Sequence, residues 1–88
     1  MTRRYLLSGR VQGVGFRYFA QRAATQLGVV GWVRNCPDGT VEAVAQGSEE
    51  ALQALRRHLQ QGPSWSKVRR IDETDAEPGT FTAFSIEG

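Results

Sequence analysis

Eighty-eight residues, 40% of them hydrophobic and 23% charged, fit a single folded domain, expected to span residues 1–88, with one modest core and no deep cofactor cleft. The mean hydropathy is −0.41, no apolar run approaches the roughly 18 residues of a membrane span, and no small-residue cleavage site follows the first apolar stretch, so a cytoplasmic protein without membrane attachment is expected. One cysteine and one histidine exclude an internal disulfide and a cysteine zinc cluster, and a formal charge of +2 is too small to point to nucleic acid.

The chain begins with a strand over residues 3–10, bounded by Gly9 and Gly13. A glycine-rich loop, Gln12-Gly13-Val14-Gly15, leads into a helix over residues 16–27, where Phe16, Ala20, Ala23 and Leu27 recur on one face and Gly28 supplies the stop. Residues 29–35 and 40–46 read as two strands joined by Cys36-Pro37-Asp38-Gly39, a turn sequence in which proline sets φ and glycine supplies positive φ. Ser48 is a favourable cap for a second helix, with Glu49 and Glu50 in its first turn and Leu52, Leu55 and Leu59 as its apolar stripe; it stops before Gly62-Pro63. Trp65, in the following connection, is expected to lie as a lid on the end of the core. Residues 68–74 and 81–86 give two further strands, the first weakly alternating, separated by Glu77-Pro78-Gly79.

This order predicts an α+β, ferredoxin-like sandwich: β-α-β-β-α-β plus a short C-terminal strand, a mostly antiparallel sheet with two helices on one face. Such a fold hosts enzymes, regulatory domains and RNA binders, so function must be argued from the site.

The two helix starts differ in kind. The second has a side-chain cap and acids that offset its free N–H groups and dipole. The first has Gly13 and Gly15 ahead of it, no acidic residue anywhere from Met1 to Pro37, and Arg17 in its first turn, where a cation costs stability. Charge is divided in the same sense: residues 1–44 carry six arginines against Asp38 and Glu42, whereas residues 45–88 carry five basic and seven acidic groups. Glycines that let successive amides converge, a positive helix end and a planar guanidinium together describe an anion site. The loop lacks the third glycine of the dinucleotide fingerprint, since Tyr18 stands there, and lacks the Gly-Lys-Ser/Thr of a Walker A loop.

Leu7-Ser8-Gly9-Arg10-Val11-Gln12-Gly13-Val14-Gly15-Phe16-Arg17 resembles the first signature of the acylphosphatase family. Gly31-Trp32-Val33-Arg34-Asn35, with Gly39, Val41 and Gly47 at the family spacings, resembles the second. The resemblance runs the whole length of the chain. It implies an enzyme that hydrolyses the carboxyl-phosphate bond of acyl phosphates to carboxylate and inorganic phosphate, without metal, cofactor or covalent intermediate. It further implies that Gln12, Gly13, Val14, Gly15, Phe16 and Arg17 cradle the phosphoryl group, that Arg17 binds it as the principal cation, and that Asn35 positions the attacking water. Inorganic phosphate or sulfate should occupy the same place as product or mimic, and the expected state is a monomer. The alternative is a module of the same fold that binds a phosphate-bearing ligand or RNA without turnover.

Other conspicuous residues point elsewhere. Arg34 alternates to the opposite side of its strand from Asn35 and is expected to cover the sheet, and Arg22 is assigned to the helix surface. Phe16, Phe19, Trp32, Phe81 and Phe84 are expected as core or half-buried sheet residues and not as a stacking platform, and the alternating aromatics of an RNA-recognition strand are absent. Cys36 does not open a cysteine-phosphatase loop, since Glu42 stands where its arginine would be, and Arg56, Arg57 and His58 fall on the wet side of the second helix.

Overall fold

A computed structural model describes residues 1–88. In chain order the elements are β1 (Thr2–Arg10), α1 (Phe16–Gln26), β2 (Val30–Asn35), β3 (Val41–Gln46), α2 (Glu49–Gln61), β4 (Lys67–Asp75) and β5 (Phe84–Glu87). The strands form one sheet in the order β4-β1-β3-β2-β5. Its contacts are antiparallel except between β2 and β5, which run parallel. The expected ferredoxin-like arrangement is therefore present, with β5 added beside β2.

Period-2 alternation decides which strand faces meet the helices. Tyr5 and Leu7 of β1, Val33 of β2, Val41, Ala43 and Ala45 of β3 and Phe84 of β5 are buried in one cluster with Phe16, Ala20, Ala23 and Ala24 of α1 and Leu52, Leu55 and Leu59 of α2. Both helices thus cover the same face of the sheet. Small alanines form the buried face of α1 beside Phe16, while leucines form that of α2. Tyr5, with no exposed surface, directs its hydroxyl to the Leu52 carbonyl oxygen at 3.4 Å, and burial pushes its ionisation up to about 12. Gly31 is required by contact: a Cβ there would stand 1.9 Å from the Val44 carbonyl oxygen on β3.

Two expectations need correction. The last strand begins at Phe84 and not at residue 81, because the chain leaves β4 at one edge of the sheet and must reach the other edge before it can pair with Gly31. Trp65 is no lid: it is 85% exposed in the α2–β4 connection, with a left-handed φ of 73° that turns it away from the core. No helix is long and apolar enough to cross a membrane.

Candidate active site

The loop between β1 and α1 is held at both ends by the core, Val11 and Phe16 being 1% and 2% exposed. Between these anchors Gly13 and Gly15 adopt left-handed φ values of 74° and 76°. A Cβ at either would meet nothing within 4 Å, so the backbone conformation itself, not crowding, calls for glycine. Gly15 caps α1 without any side-chain bond, and the first turn contains no acid. The amide N–H groups of residues 13–17 find no acceptor within the protein. They form an array of donors at the positive end of the helix dipole, beside the Arg17 guanidinium.

Asn35 reaches the same place from the end of β2, where it pairs with Val41 before the chain turns. Gly13, Gly15, Phe16, Arg17 and Asn35 line one cavity of about 180 Å³, completed by Val11, Tyr18 and Ile86. The structure therefore brings together the two side chains singled out from the sequence, although they stand on different elements. Arg17 Nη1 donates to the Gly88 carbonyl oxygen at 2.6 Å, which holds the guanidinium over the cleft from the β5 side.

Gln12 and Val14 contribute differently. The Val14 side chain packs against the core. Gln12 Nε2 donates to the Cys36 carbonyl oxygen at 2.8 Å and to that of Thr40 at 2.9 Å. This one amide ties the loop to the turn that immediately follows Asn35, so it fixes the spacing between the donor array and the strand end. Asp38 shapes that turn by accepting from the backbone and hydroxyl of Thr40, bonds that hold its carboxyl below the usual carboxylate range.

Arg34 turns to the other face of the sheet, as alternation requires. Its Nε donates to Glu42 Oε1 at 2.7 Å and its guanidinium lies 5.6 Å from the Trp32 ring centroid. Arg4 on β1 pairs with the same glutamate from the opposite side. Burial pushes the Glu42 carboxyl up, but the bonds and charges of the two arginines outweigh it and hold the group below its ordinary range. These cations are thus engaged away from the cleft, leaving Arg17 as the arginine that lines it. Sequence reasoning missed Val11, Tyr18 and Ile86 as cleft residues. Only Tyr18 had a signal, an aromatic placed off the apolar stripe of α1 directly after Arg17.

The family model described as Acylphosphatase matches residues 3–86 of the chain. The chain belongs to the acylphosphatase family. An acylphosphatase of Koribacter versatilis is 52% identical over 88 residues, covering 99% of this chain and 80% of its relative. The crystal structure of the Bacillus subtilis acylphosphatase superposes with a TM-score of 0.96 at 42% identity, covering 99% of this chain and 98% of that one. The acylphosphatase from Coxiella burnetii gives a TM-score of 0.93 at 30% identity, covering 98% and 90%. With likeness of this order over nearly the whole chain, the activity is that of the acylphosphatase family, an enzymatic hydrolysis of acyl phosphates, and the non-catalytic alternative is set aside.

Proposed function

We propose that the loop of residues 12–17 and Arg17 hold the phosphoryl group of an acyl phosphate while Asn35 holds the water that attacks it. The observation that carries this reading is the convergence of unbonded loop amides, the Arg17 guanidinium and Asn35 on a single cleft. Phosphoryl transfer through a loose transition state needs little covalent help from the protein; it responds to positioning and to charge placed around the equatorial oxygens. The amides and Arg17 provide that charge, already oriented before substrate arrives.

The Asn35 side-chain oxygen accepts a hydrogen bond from the water and directs its lone pair at phosphorus. As the new P–O bond forms, the bond to the bridging oxygen breaks and its electron pair leaves with the carboxylate. A carboxylate is a good leaving group, so no strong general acid is required, and the water's proton passes to the phosphate product. No metal or covalent intermediate enters this sequence of steps.

Purified protein should accelerate benzoyl phosphate hydrolysis severalfold or more over buffer in the presence of EDTA. A rate equal to buffer would overturn the reading; a rate abolished by EDTA and restored by a divalent cation would overturn its metal-free form.

A further inference from the structure

The protein leaves four large apolar side chains exposed, and two of them stand on the cleft: Tyr18, 61% exposed, and Ile86, 39% exposed. Tyr18 directly follows Arg17 on α1, and the Arg22 guanidinium one turn on lies 6.0 Å from its ring centroid. Ile86 projects from β5, where it pairs with Val33. No carboxylate lines the cleft. Its surface therefore changes character over a short distance, from amides, Arg17 and Asn35 to an aromatic ring and a branched aliphatic chain. Single exposed apolar residues need no explanation, but an apolar pair bordering a polar reactive centre describes a place for the apolar part of a substrate.

The chemistry of the reaction narrows where that part can go. A single bridging oxygen joins the acyl group to phosphorus, so it must lie within a few bonds of the anion cradle. In-line attack places the leaving group on the far side of phosphorus from the water, hence away from the Asn35 amide. The broad groove over the open face of the sheet, lined by Trp32, Arg34, Glu42 and Glu87, has Asn35 in its wall and so adjoins the residue proposed to hold the water. Its cation is already paired with Glu42. Tyr18, on the helix wall, is free of both objections.

We infer that Tyr18 and Ile86 form an acyl-group subsite that favours apolar, flat acyl groups such as aryl over a bare acetyl or an anionic chain. This rests on the phosphoryl reading above. The subsite selects through area removed from water, so its contribution scales with the size of the acyl group, whereas the cradle treats all acyl phosphates alike.

The test compares kcat/KM for benzoyl phosphate and acetyl phosphate in wild type and variants. Tyr18→Ser and Ile86→Ser should each lower the benzoyl-to-acetyl ratio by about five- to tenfold, chiefly through KM for benzoyl phosphate, which corresponds to about 1–1.4 kcal/mol. Tyr18→Leu, which retains an apolar body, should recover most of the ratio. Trp65→Ser, removing an exposed aromatic that does not line the cleft, should leave it as in wild type. Thermal melts establish that each variant is folded. A ratio within twofold of wild type in both Tyr18→Ser and Ile86→Ser would overturn the subsite, as would an equal shift in Trp65→Ser. Hydrolysis of neither substrate by the wild type would overturn the phosphoryl reading and the subsite with it.

Discussion

The two helices of this protein begin in opposite ways. At α2, Ser48 is extended, its hydroxyl accepts from the Ala51 amide at 3.1 Å, and Glu49 and Glu50 offset the dipole. At α1, Gly15 is left-handed, no side chain caps the first turn, and a cation stands where an anion would stabilise. Both helices bury an apolar face on the same core, so tertiary packing alone does not account for the difference. A protein built only for stability would cap both. Leaving α1 uncapped costs about 1 kcal/mol in local terms, and it leaves the set of oriented donors that the proposed function assigns to a substrate oxygen.

Breaking the contrast at its charged member should have the largest effect. Arg17→Gln is expected to lower kcat/KM by about 3 kcal/mol, roughly a hundredfold or more, the scale of losing a preorganised donor to a developing oxyanion. In wild type, inorganic phosphate should raise Tm through binding to the native state, and that rise should be lost in the variant. A shift that persisted undiminished would locate the anion elsewhere.

Asn35→Ala separates the water from the cradle. Its kcat should fall by about a hundredfold while competitive inhibition by phosphate stays within about threefold, since the α1 start is intact. Loss of phosphate affinity as severe as in Arg17→Gln would assign Asn35 to binding.

The smallest effect comes from making the two helix starts alike. Ser48→Ala should lower stability by about 1 kcal/mol, read as a lower denaturation midpoint, while kcat/KM stays within about twofold. If activity dropped in step with stability, the α2 cap would belong to the functional machinery and the contrast would lose its meaning.

Much of this contrast is legible in the sequence, because capping chemistry is local: Ser48-Glu49-Glu50 and Gly13-Val14-Gly15-Phe16-Arg17 carry their meaning within a few residues. The apolar stripes of α1 and α2 and the Pro37-Asp38-Gly39 turn are local in the same sense. What could not be read depends on partners distant in sequence. Gln12 bonds carbonyls 24 and 28 positions away, and nothing in its neighbourhood indicates them. Glu42 is buried because Arg4 and Arg34 approach from both flanking strands, which requires knowing that β3 lies between β1 and β2. The weak alternation of β4 reflects its edge position, and the start of β5 was misplaced because the span of the sheet is invisible in Phe81-Thr82-Ala83. Trp65 departs from the expected lid because a large aromatic ordinarily covers apolar surface, while its left-handed backbone turns it outward.

The Gln12 amide has a consequence for the thermodynamics of recognition. Its two bonds cross from the loop proposed to hold phosphate to the β2–β3 hairpin, so that loop is ordered when the chain folds and not when ligand arrives. The entropy of fixing the loop is then charged to the folding equilibrium, and association with a small anion keeps more of its interaction free energy. By the same token, the hairpin turn of residues 36–40, which includes no proposed catalytic side chain, is mechanically continuous with the donor array, and under the proposed function its conformation contributes to the affinity for the anion.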